Sequence, residues 1–106
     1  MSPNQQLCFR ALADPTRRDI LTLLRQDDLT IADVAERFDI TRTAVKKHLT
    51  ILGEGGLITV EARGRTRVNR FNPAGMLPAL TWLSAFDAFW DDRLDALKSA
   101  IEKDMQ

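Results

Sequence analysis

The stretch from Thr30 to Gly56 leaves the chain the fewest folding options. Thr30 is a residue type that caps helix N-termini, and Ile31, Val34, Ala35 and Phe38 follow it at helical spacing. Only Asp39 and Ile40 intervene before Thr41 offers a second cap. Ala44, Val45, Leu49 and Leu52 then recur at intervals of three and four. Gly53, Gly55 and Gly56 are expected to end that helix, because glycine readily takes the left-handed conformation past a helix C-terminus. Two short helices joined by so brief a turn form a helix-turn-helix unit, whose second helix offers its N-terminal residues to the major groove of DNA.

The flanks complete a small fold. Ser2-Pro3 and Asp14-Pro15 each place a capping side chain before a proline that suits the first helical position. They predict helices over Pro3–Leu12 and from Pro15 to about Arg25. After the glycines the period changes. Leu57, Ile58 and Val60, then Thr66 to Phe71, alternate around Gly64 and read as a β-hairpin. From Pro78 to about Lys103 one apolar face runs through Leu80, Leu83, Phe86 or Asp87, Trp90, Leu94, Leu97 and Ile101, with Trp82 and Phe89 widening it. As one helix it would be about 39 Å long, more than a small domain needs. The expected fold is mainly α with a small β-hairpin, in the order α-α-α-α-β-β-α, forming a single domain over 1–106. The segments 1–12 and 78–103 are expected to serve as dimerisation helices, with Leu7, Leu83, Phe86, Trp90, Leu94 and Leu97 at the dimer interface.

The chain has 106 residues, a size at which a core is limited and a partner often adds stability. Its only cysteine, Cys8, cannot form an intrachain disulfide, which fits a reducing compartment. The first residues carry no signal-peptide pattern. The longest uncharged run, Phe71 to Phe86, is too short and too broken by prolines to span a bilayer. A cytoplasmic protein without membrane contact is expected. The formal net charge is +0, yet the charge is sorted. Residues 1–40 carry five basic and seven acidic side chains, residues 41–70 seven and two, and residues 71–106 three and six. A basic centre between acidic flanks suits phosphate binding.

That centre contains the candidate site. Thr41 and Thr43 have hydroxyls for phosphate or base edges, and the helix N-terminus itself favours phosphate. Arg42 can pair with two acceptors on guanine, and Lys46 and Lys47 add charge opposite Val45, Leu49 and Leu52. His48 lies near the same side. Thr41, Arg42, Thr43, Lys46, Lys47 and His48 are therefore expected to contact double-stranded DNA in the groove. Four arginines and no lysine flank Gly64; of these, Arg63, Arg65 and Arg67 are expected to contact the duplex backbone.

The segments Ala11-Leu-Ala-Asp-Pro-Thr-Arg-Arg-Asp-Ile-Leu-Thr-Leu-Leu24, Phe38-Asp-Ile-Thr-Arg-Thr-Ala-Val-Lys-Lys-His-Leu49 and Leu52-Gly-Glu-Gly-Gly-Leu-Ile58 resemble the arsenic-repressor-like (ArsR) family of bacterial regulators. The resemblance covers most of the chain. It implies a winged helix-turn-helix homodimer that binds an inverted-repeat operator and represses transcription. The stretch Phe89-Trp-Asp-Asp-Arg-Leu-Asp-Ala-Leu97 resembles a subgroup without metal sites.

Metal sensors of the family carry a cysteine pair in the third helix or histidine and carboxylate ligands in the last. Here the third helix has no cysteine and the last no histidine. Zinc and soft metals need thiolates or imidazoles, so neither metal nor other cofactor is expected. There is no nucleophile-base-acid set and no phosphate-binding glycine loop, so an enzyme is not expected. Two rival readings stay open: a protein-interaction module that no longer reads DNA, and a regulator responding to oxidation or a small molecule through Cys8.

Overall fold

The computed structural model of the chain describes residues 2–104. Residues 1, 105 and 106 of the expected domain, the first of them part of the expected 1–12 dimerisation segment, lie outside the described residues. The helices are α1 (Pro3–Leu12), α2 (Pro15–Leu24), α3 (Ile31–Phe38) and α4 (Arg42–Glu54). Strands β1 (Ile58–Arg63) and β2 (Thr66–Phe71), a 3-10 turn over Pro73–Met76, α5 (Leu77–Ser84) and α6 (Asp87–Asp104) follow. The first four helices each begin at the capping residue the sequence suggests. Ser2 and Gln5 form a reciprocal capping box, as do Thr30 and Asp33. The Asp14 side chain accepts from the Arg17 amide, and the Thr41 hydroxyl accepts from the Ala44 amide at 3.1 Å.

One core gathers the inner faces of these helices. Ile20, Val34, Val45, Leu52 and Leu57 are wholly buried, and Leu24, Leu29, Leu49 and Ile58 nearly so. Ile31, Ala35 and Phe38 pack against this cluster from α3. The strands pair antiparallel, with Ile58 opposite Phe71 and Arg63 opposite Thr66. A short bridge between Leu29 and Asn69 adds the α2–α3 loop to the outer edge of β2. Both backbone amides take part, and the buried Asn69 side chain donates to the Leu29 carbonyl at 3.1 Å. The hairpin is thereby tied to the helical body along its β2 edge.

Two expectations need correction. Gly53 does not end α4; the helix continues to Glu54, and the chain turns at Gly55 and at Gly56, which has φ of 75°. The expected single helix over 78–103 is two helices. Pro78 sits in the first turn of α5, where its missing N–H costs no helical bond. The break falls at Ala85 and Phe86, whose amides donate to Trp82 and Leu83 in tightened three-residue turns. Trp82 and Phe86 pack ring to ring there, with centroids 5.0 Å apart. Helix α5 lies along α1, with Phe9 edge-on to Trp82 and the Gln5 side chain donating to the Pro78 carbonyl. No residue of α6 is buried.

Candidate nucleic-acid interface

Helix α4 is anchored from behind by Val45, Leu49 and Leu52, so its opposite side must face outward. Its entry angle is set by Asp39, which holds a left-handed conformation (φ 51°) that aspartate tolerates better than most side chains. Thr41, Arg42, Thr43, Lys46 and Lys47 are all exposed. One lone pair of the Thr41 hydroxyl serves the helix cap, leaving its proton available to an outside acceptor.

His48 is placed differently from the other five. It is half-buried and faces Arg17 of α2, with Nδ1 3.4 Å from the guanidinium. Arginine can only donate, so Nδ1 is the acceptor in this contact. Arg17 also donates to the Ala11 and Arg10 carbonyls at the end of α1. His48 thus joins α4 to the α1–α2 corner.

The hairpin stands beside α4. Gly64, at φ 62°, makes the tight turn, and Arg65 sits at its tip. Antiparallel pairing then sorts the remaining arginines by parity. Arg67 is opposite Ala62, and Asn69 is opposite Val60, so Arg67 shares a face with Val60 and Ile58. That face looks toward α4 across a groove of about 260 Å³ lined by Lys46, Thr50, Val60 and Arg67 among others. Glu61 is opposite Val68, which puts Glu61, Arg63 and Arg70 on the other face.

On that other face the charges are neutralised internally. Asp28 Oδ2 lies 2.7 Å from Arg63 Nη2 and 3.3 Å from Arg70 Nε. Glu61 Oε2 lies 3.1 Å from Arg63 and 3.4 Å from Arg70. The hydrogen bond from Arg63 to Asp28, and then that to Glu61, raise the Arg63 pKa further. Arg63 is therefore not placed like Arg65 and Arg67. Among the described residues every ion pair involves Arg10, Arg63 or Arg70; Arg42, Lys46, Lys47, Arg65 and Arg67 take part in none.

The other expected site residues lie away from this face. Leu7 is half-buried on α1, whereas Leu83, Phe86, Trp90, Leu94 and Leu97 remain between 41% and 57% exposed along α5 and α6. Cys8 is fully buried, with Sγ 3.6 Å from the Gly75 carbonyl, and burial pushes its thiol pKa up. A thiol so placed is shielded and slow to ionise, which weakens the oxidation-switch reading. Among the described residues no three His, Cys, Asp or Glu side chains come together as a metal site, and no helix is long and apolar enough to cross a membrane.

A helix-turn-helix with an exposed basic second helix, flanked by a basic hairpin, defines a winged helix-turn-helix regulator that binds DNA. A helix-turn-helix domain family matches residues 12–61. The chain is 35% identical over 78 residues to the transcriptional repressor SdpR of Bacillus subtilis (strain 168), covering 74% of this chain and 87% of that protein. It superposes on an ArsR-like transcriptional regulator from Rhodococcus sp. RHA1 with a TM-score of 0.72 at 34% identity, over 91% of each chain. It also superposes on the homodimeric winged helix-turn-helix DNA-binding domain Mb0332 from Mycobacterium bovis, with a TM-score of 0.65 at 26% identity, over 77% of this chain and 78% of that one. The chain belongs to the ArsR family of transcriptional regulators, which are not enzymes.

Proposed function

We infer that this regulator is a repressor that binds an inverted-repeat operator as a homodimer and does not sense metal. The observation that carries the reading is the outward face of α4. Arg42, Lys46 and Lys47 stand there exposed and outside every ion pair among the described residues, with Arg67 across the groove and Arg65 at the hairpin tip. Arg42 and Thr43 read base edges, Thr41 and the helix N-terminus bind phosphate, and Lys46 and Lys47 add charge along the groove wall. Arg65 and Arg67 follow the backbone. His48 contributes from behind by fixing α4 against Arg17.

Dimerisation supplies the second half-site. Leu83, Phe86, Trp90, Leu94 and Leu97 stay half exposed along α5 and α6, a run of large apolar side chains of the kind that marks an association surface, and α1 with Leu7 completes the proposed interface. The likeness to a homodimeric domain supports this, as the likeness to SdpR supports repression. Two-fold symmetry places the half-site centres about one helical turn apart. The non-metal reading rests on the single Cys8 and single His48, set on different helices.

Selection of bound duplexes from a random pool at about 150 mM salt, near the physiological range, tests the reading. An enriched inverted repeat, lost in the Arg42→Ala/Lys46→Ala variant, is expected. A folded protein that enriches no sequence, or enriches it equally well in the double variant, would contradict it.

A further inference from the structure

We propose that Asp28 and Glu61 hold Arg63 and Arg70 off the duplex, and that Asp28 thereby limits sequence-independent DNA binding. The proposal rests on α4 and the hairpin being the DNA-facing surface. Two independent observations point to it. The first is strand parity: Arg63 and Arg70 share a face with Glu61, while Arg67 shares the opposite face with Val60 and looks onto α4. The second is the closed ion cluster. Each of the two guanidiniums is within 3.4 Å of both an Asp28 and a Glu61 oxygen.

Asp28 is well placed for this role. It precedes Leu29, whose bridge to Asn69 adds the loop to the β2 edge. Asp28 therefore meets the adjacent Arg70 across that edge and reaches Arg63 beyond it. Its side chain is 29% exposed, the least of the four, so solvent screens it less than its partners. Exposed ion pairs are individually weak. Here the register brings the four groups within reach of one another, and each carboxylate serves both guanidiniums, so the pairs act as a network rather than singly. Two positive and two negative groups cancel. A phosphate then meets a neutral patch where composition alone would place two arginines.

The result is a division of labour among the four arginines. Arg65 and Arg67 contribute to DNA affinity, and Arg63 and Arg70 fasten the hairpin to the α2–α3 loop. A hairpin with all four available would add sequence-independent attraction and lower discrimination, because phosphate contacts carry no base information. Asp28 is thus a positioning residue that acts through Arg63 and Arg70.

The salt dependence of binding reads this directly. Each phosphate contact contributes about −0.9 to the slope of log K against log salt. Binding of the full chain to a mixed-sequence fluorescent duplex is followed from about 50 to 200 mM KCl, with thermal unfolding of every variant alongside. Arg65→Gln and Arg67→Gln should each flatten the slope by about one, and Arg63→Gln should leave it unchanged. Asp28→Asn, which keeps shape and removes charge, should steepen the slope by about one and tighten binding several-fold. Asp28→Asn/Arg63→Gln should restore the original slope, a result that a merely structural role would not produce. A slope flattened as much by Arg63→Gln as by Arg65→Gln would overturn the proposal, as would an unchanged slope in a folded Asp28→Asn. A slope indifferent to Arg65→Gln and to Lys46→Gln would instead overturn the DNA-facing reading of α4 and the hairpin, and the proposal with it.

Discussion

At the scale of single residues, charge is sorted by what each side chain has to pair with. Arg42 has no ion-pair partner among the described residues and stands at the start of α4. Arg42→Ala should relax base preference by about 1–3 kcal/mol at one position of each half-site, read by competition between operator variants. Unchanged preference would remove Arg42 from the groove. The capping carboxylates make a second expectation. The bond accepted from the Arg17 amide holds the Asp14 carboxyl below the usual range, and that from the Thr30 amide does so for Asp33. A lowered folded pKa stabilises the native state above the ordinary value, near 4, and this contribution is lost as pH falls through the folded value. The double variant Asp14→Asn/Asp33→Asn should lose less stability than the parent below about pH 4 in thermal unfolding. An identical acid response would contradict this. The caps were legible in the sequence because a helix N-terminus is satisfied by its own neighbours. The partner of His48 was not, since Arg17 lies 31 positions away. Arg63 falls between these cases. Its parity with Glu61 could have been counted along the strand, whereas Asp28 comes from a distant loop.

At the scale of elements, close backbone approaches join the end of α4 to the rest of the fold. A Cβ on Gly75 would lie 1.9 Å from the Gly56 carbonyl oxygen, backbone against backbone just beyond α4. Gly75→Ala should therefore unfold the protein or displace the 3-10 turn, visible as a large fall in melting temperature. Gly53 is the contrast. It lies inside α4 with open space around it, so Gly53→Ala should stabilise the protein by about 0.5–1 kcal/mol. A destabilised Gly53→Ala would show that the helix ends earlier, as its glycine suggested. Leu52, with no exposed surface, should lose about 2–5 kcal/mol on change to alanine by denaturant unfolding. The bounds of α1 and α3, the hairpin and its turn were readable from period and caps. The break in the C-terminal helix was not. Nothing at Ala85 or Phe86 is a helix breaker by composition, and the tightened turn accompanies the packing of Phe86 on Trp82.

At the scale of the whole molecule, an apolar arm and a basic face divide the chain. The molecule measures 57 × 35 × 21 Å, elongated for its size, and α6 contributes no residue to the core. Phe89, Trp90, Leu94, Leu97 and Ile101 stay about half exposed along it. Burial of that stripe against a second copy should make the protein dimeric, and Trp90→Asp/Leu94→Asp should give a folded monomer with lost operator affinity, seen by sedimentation. A double variant that stayed dimeric would move the interface elsewhere. The fold class was legible because the helix-turn-helix and hairpin are local patterns. How two copies meet depends on surfaces that no single chain buries. The central claim is that two α4 helices, fixed at a set distance, read one face of the duplex together. The most direct measurement compares the selected inverted repeat with the same repeat carrying an insertion of about five base pairs, half a helical turn, between its half-sites. The insertion turns one half-site to the opposite side of the duplex, so affinity should fall to that of a single half-site. Equal affinity for the two duplexes would mean that the half-sites are bound independently, and would contradict the symmetric dimer.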